Sequence, residues 1–341
     1  MNCAKRVKVR EVAGMQRDNA IDAMKGLLTL LMILAHVIQF FLSSHKITDF
    51  ISNYVNLTTF SGFMFCFGYV CYLAYIRKGV RRSRILLGSV KALSAYLISG
   101  AGFSVLVAED PGRILRMLTF SDMPGYSEFL LSFTLLYILV FLFLPQLKIV
   151  MESGILTFLG VGASLGFTLL PYQDVENTLL GSLIGSTEFC TFPVLAYAAF
   201  FLLGGWLANH RGSAGSMAFL LISWMGTGCF LLYILRSGQM PLRFPPSIWW
   251  ILGGAGIVAI YDFLVRKIQV CVLFPFLAFV GEKTLFFLVV SNLTIFLARR
   301  IMDVFHLQAW NRWFCMGTYI AALLIAIFIL RLGEHGKKKE K

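Results

Sequence analysis

Long apolar stretches recur from Ala23 to Leu330, broken only by short polar segments. A helix that crosses the hydrocarbon layer of a bilayer needs about 20 such residues. The pattern predicts spans over 23–42, 54–75, 85–107, 129–147, 155–171, 192–208, 217–235, 248–265, 284–298 and 313–330. The expected fold is all-α, a polytopic integral membrane bundle of about ten helices. The stretch 172–191 does not fit that series. It reads as a polar loop from Pro171 to Thr178, then a short apolar piece that either re-enters the membrane or lies along its surface. Both are tolerated where protein covers the backbone polar groups. No internal repeat is visible, and the gaps leave no room for a soluble domain. The expected organisation is a membrane domain over 17–331 between basic tails at 1–16 and 332–341.

Composition agrees with this and removes the water-soluble reading. The chain is 58% hydrophobic and 14% charged with mean hydropathy +0.78, against about 25% charged residues in soluble domains. In a soluble protein a net charge of +13 would point to nucleic acid. Here the basic residues sit in short loops and tails, where they orient helices, and no nucleic-acid partner is expected. With the N-terminus inside, the cytoplasmic segments hold 20 Lys and Arg and the outer ones 8, while Lys25 and Lys91 lie within spans. That asymmetry places both termini in the cytoplasm of a multi-pass plasma-membrane protein. The first apolar run opens only at Ala23 and has no small-residue cleavage site, so it is not expected to be a signal peptide. Seven cysteines occur without CxxC spacing, which indicates neither a disulfide framework nor a metal cluster.

Of five histidines, His36 alone falls within a span. Ionisable groups at membrane depth are costly and normally face a partner or a wet cavity. Lys25 precedes His36 by 11 residues and Asp22 by 14, offsets close to three and four full helical turns. All three side chains therefore share one helix face, with Lys25 and His36 roughly 16 Å apart along the axis. The bland reading is a snorkelling Lys–Asp pair and a histidine satisfied by a neighbouring helix. Glu128 and Glu188 border apolar stretches, and Arg243 precedes two prolines. Each is either an interface residue or a contact for a bound substrate. The Arg77–Arg84 cluster serves topology first.

The segment Asp22-Ala-Met-Lys25-Gly26, with His36 eleven residues after the lysine, resembles the opening of the bacterial acyltransferase 3 family in its lysine branch. Phe65-Cys66-Phe67-Gly68-Tyr69 is similar to the end of that family's second helix. Arg243-Phe-Pro-Pro-Ser247 is similar to the start of a late helix, and Gly281-Glu-Lys-Thr284-Leu285 to the start of the penultimate one. The match runs in order from about residue 17 to 330. Three departures stand out. Gly88 occupies the first place of an expected basic pair whose second is Lys91, Ser291-Asn292 stands near an expected histidine, and Ser127-Glu128 replaces an aromatic start.

The resemblance implies a membrane-bound O-acyltransferase that moves an acyl group, most commonly acetyl, from cytoplasmic acyl-coenzyme A to a hydroxyl of a cell-surface or lipid-linked polysaccharide. On that reading His36 is the base or acyl carrier, supported by Lys25 and Asp22. Lys25, Arg84 and Lys91 hold the phosphates of the donor, acetyl-CoA. Arg84 stands in for the missing basic residue from seven positions before Lys91, on the same helix face. Glu128, Glu188 and Arg243 are the acceptor-side candidates. Membrane lipid surrounds the chain, and no permanently bound cofactor or metal is expected. Two other readings compete: a polytopic carrier or flippase for a glycan or lipid-linked precursor, and an acyltransferase-like scaffold without turnover.

Overall fold

The computed structural model describes residues 17–172, 175–306 and 312–339; the basic tail at 1–16 and the last two residues, 340–341, lie outside them. Every described element is helical. Asp18 caps α1 (Asn19–Phe41) by accepting from the backbone N–H groups of Ala20 and Ile21, which satisfies orphan donors of the first turn. Helix α2 (Lys46–Cys71) runs on through a π-helical segment to Arg77. Next come α3 (Ser83–Leu106), the short α4 (Gly112–Leu118) and α5 (Glu128–Glu152). The kink in α5 falls at Phe143, just ahead of Pro145, because proline removes a helical N–H and crowds the preceding turn.

Helices α6 (Gly154–Gly166), α7 (Thr178–Ile184) and α8 (Val194–Asn209) form the middle of the chain. They are followed by α9 (Ser213–Ser237), α10 (Ile248–Lys267), α11 (Leu273–Glu282), α12 (Thr284–Val304) and α13 (Arg312–Lys339). Among the described residues eight helices are long and apolar enough to cross a membrane, namely α1, α2, α3, α5, α9, α10, α12 and α13. The expected spans 155–171 and 192–208 are the exceptions. Their helices, Gly154–Leu169 with its terminal 3-10 turn and Val194–Asn209, are shorter and rise only about 24 Å each, against about 30 Å of hydrocarbon.

The segment from α6 through α8 is tied to the rest of the bundle at two points. At one, the Tyr72 hydroxyl donates to Asn209 Oδ1 (2.6 Å). At the other, Thr178 Oγ1 donates to the carbonyl of Phe120 (2.8 Å), in the loop between α4 and α5. Helix α8 is apolar all round and buried along nearly its whole length, as a central helix must be. It touches α2 backbone to backbone: a Cβ on Gly68 would lie 1.8 Å from the Phe201 carbonyl oxygen, and one on Gly204 2.1 Å from that of Phe65. Small residues permit this approach where lipid supplies no hydrophobic drive between helices. By contrast α9 and α13 present mostly exposed apolar side chains, the surface that suits lipid.

Within 172–191 the apolar piece becomes α7. The chain after it turns into the bundle, where Thr191 and Phe192 are buried and the Phe192 ring packs 4.7 Å from that of Phe60 on α2. Residues 173–174 lie outside the described residues. Helix α11 is an addition to the expected elements. Its ten residues are too few to span, so the pattern leaves them as loop, yet they pack closely along the start of α1.

Candidate functional site

At its capped end α1 carries an ion-pair cluster. Asp22 is 4% exposed and pairs with Lys25 (2.7 Å) and with Arg17, which also reaches Glu282 (3.3 Å). Arg266 joins Asp18 (3.1 Å) to Asp262 (3.1 Å), and Arg211 meets the same Asp262 (2.9 Å). The ring of Tyr69 lies under both arginines. Buried carboxylates are tolerated only when paired in this way. The cluster ties α1 to α10 and to the α8–α9 turn.

Lys25 lies on the wall of a cavity of about 310 Å³ together with Lys91, Tyr75, Tyr137 and Glu282. Two ammonium groups from different helices thus face one hollow among aromatic and aliphatic walls. Gly88 lines it too. A Cβ there would lie 2.5 Å from the Tyr137 ring, so tyrosine occupies the space that a basic side chain at 88 would need.

His36 lies three turns beyond Lys25, at a second cavity of about 250 Å³. The imidazole is held from the rear. Its Nδ1 is 2.9 Å from Asn292 Oδ1 on α12, and its ring meets Tyr126 edge-on at 5.0 Å. Asn292 Nδ2 donates to Ser99 Oγ (2.9 Å) and to the Tyr126 carbonyl (3.0 Å). A carbonyl can only accept, so the amide orientation is fixed with Oδ1 towards the histidine. Nδ1 must then carry the proton in the neutral ring, and Nε2 is the basic nitrogen.

Gln39, Asn56, Glu128, Cys190 and Arg243 share this second cavity. Arg243 reaches it from a loop closed by the Ser247 N–H on the Leu242 carbonyl (3.0 Å). Ser247 then caps α10 by accepting from the Trp250 N–H (3.3 Å). Phe129 lies on the walls of both cavities, so one aromatic side chain stands where they adjoin.

The structure therefore distributes the candidate residues over two hollows. Lys25 and Lys91 line the first; His36, Glu128 and Arg243 line the second. Asp22 lines neither, and acts by holding Lys25. Arg84 is exposed at the start of α3 and does not line the lysine cavity. Seven residues keep it on the Lys91 face, but place it about 10 Å nearer the helix end. Glu188 is likewise exposed and does not line the histidine cavity, which the same loop reaches two residues later through Cys190. The residues not anticipated in these roles are Asn292, Tyr126, Phe129 and Cys190. Only Asn292 left a trace in the sequence, as an amide within an apolar span near the place of an expected histidine. No group of His, Cys, Asp and Glu among the described residues could hold a metal ion. Comparison with known proteins finds no matching family model, no matching curated protein and no matching solved structure, so the likeness to the acyltransferase 3 family rests on the motifs alone.

Proposed function

We propose that this chain is a membrane-bound O-acyltransferase of the acyltransferase 3 type, carrying an acyl group from cytoplasmic acyl-CoA to a hydroxyl of a surface or lipid-linked polysaccharide. The observation that carries the reading is the fixed tautomer of His36: Asn292 holds Nδ1, and Nε2 is left as a base at a cavity large enough for substrate. Lys25 and Lys91 suit donor phosphates as point charges. The pantetheine arm then extends past Phe129 to bring its thioester to His36. Nε2 takes the proton of the acceptor hydroxyl, and the oxygen attacks the thioester carbonyl. The new C–O bond forms as the C–S bond breaks, and the imidazolium returns its proton to the departing thiolate. Asn292 accepts from Nδ1–H throughout and steadies the charged ring.

The test uses His36→Ala and His36→Gln, read as acyl content of surface glycan by mass spectrometry at matched protein levels. Losing a positioned general base costs about 10²–10⁴ in rate, and glutamine retains a donor and an acceptor without titrating near neutrality. Both variants are expected to insert normally and to lack transfer. Two cavities meeting at one aromatic ring also suit a carrier. Near-normal acylation in both variants would move that reading ahead.

A further inference from the structure

Arg243 is in an unusual position for a guanidinium. Among the described residues it makes no hydrogen bond and no ion pair, and its Nε is shut away from solvent without an acceptor. Its guanidinium lies against two aromatic rings, Phe244 at 4.3 Å and Phe192 at 5.6 Å. The other charged side chain on the same wall, Glu128, forms no ion pair with it. A charge in such a place is costly unless something pairs with it. The aromatic contacts hold the guanidinium at the cavity wall, and the edge that carries its two terminal nitrogens has no hydrogen-bond acceptor among the described residues. That edge matches the two oxygens of a carboxylate or phosphate.

From this we infer that the histidine cavity binds an anionic sugar, its carboxylate or phosphate held by Arg243 while a ring hydroxyl is directed to His36. The hydroxyl part rests on the acyl-transfer reading; the anion part does not. The cavity volume of about 250 Å³ lies just below the roughly 300–1,000 Å³ of sites for drug-sized ligands. It suits one sugar ring at a time. Glu128 and Asn56 on the same wall are positioned to accept hydrogen bonds from the remaining hydroxyls.

The experiment is direct binding, by calorimetry, of methyl glucuronide, glucose 1-phosphate and methyl glucoside to the full chain in detergent, with no acyl donor present. A hydrogen-bonded charge pair is worth about 1.5–3 kcal/mol, so the preferred anionic sugar should bind roughly 10–100-fold tighter than the neutral one. Arg243→Gln should erase the preference, and Arg243→Lys should keep part of it. The ranking of glucuronide against glucose 1-phosphate tells carboxylate from phosphate. Equal binding of all three sugars by the wild type overturns the proposal and needs no variant to fold. An anion preference that survives Arg243→Gln overturns it too. The two readings can fail separately. Anion-selective binding without any transfer would keep this site and sink the acyltransferase, whereas equal binding with normal transfer would do the reverse.

Discussion

Asn292 shows how one amide can set the tautomer of a buried imidazole. A second histidine could hold His36 through a ring nitrogen, but its tautomer would then depend on its own neighbours. The asparagine is fixed by two acceptors, Ser99 Oγ and the Tyr126 carbonyl, and so fixes the histidine in turn. Replacing it with leucine removes three hydrogen bonds at once and leaves the Tyr126 carbonyl without that donor. On the proposed acyl-transfer function, Asn292→Leu is expected to lower kcat by roughly 10–100-fold, the equivalent of about 1.5–3 kcal/mol. KM for acyl-CoA should not change, because the lysine cavity lies more than two turns away. Steady-state kinetics separate the two constants, and an equal rise in KM would assign Asn292 a general structural role instead.

At the scale of elements, the contact between α1 and α11 is the tightest helix approach beside the site. A Cβ on Gly281 would lie 1.7 Å from the Asp22 carbonyl oxygen, and one on Gly26 1.9 Å from that of Leu277. Backbone cannot step aside as a side-chain end can. Gly281→Ala should therefore separate the helices and displace Asp22, with Lys25 following it. Overpacking of this kind costs about 1–3 kcal/mol or more, visible as a lower melting temperature in fluorescence-detected size exclusion. Gly162→Ala on α6 is the control, since its Cβ would meet nothing within 4 Å and alanine is the better helix former. An unchanged melting temperature for Gly281→Ala would mean that α11 is not clamped to α1. Hydropathy conveyed none of this, because ten apolar residues between polar segments are too few to be told from a loop.

For the whole molecule the open quantity is the number of crossings. Among the described residues eight helices meet the length requirement, while the shorter α6 and α8 flank α7, whose Thr178 holds the Phe120 carbonyl, and α8 ends at the Tyr72–Asn209 contact. Protein on all sides of α8 covers the helix ends that lipid would leave exposed, which lets a short helix pass. With the excess of Lys and Arg held inside, a cytoplasm-only reporter should be active after Arg84, Arg211 and Arg331, and silent after Asp122 and Leu170. Activity after Leu170 would reduce the count to eight, and activity after Asp122 would overturn the arrangement.

The alignment of Asp22, Lys25 and His36 was legible in the sequence because a helix repeats every 3.6 residues, and no other element can vary that spacing. The membrane class and the eight long helices were legible for a similar reason: hydropathy over about 20 residues is a local property. Helix partners are not local. The pairing of His36 with Asn292, 256 residues apart, the entry of the 185–193 loop into the bundle, and the exclusion of Arg84 and Glu188 from both cavities depend on which helices pack together. Arg243 illustrates the difference. Its sequence neighbours mark it only as a basic residue ahead of two prolines. The tertiary fold alone places its guanidinium against the rings of Phe244 and Phe192, on one cavity wall with a histidine from the other end of the chain.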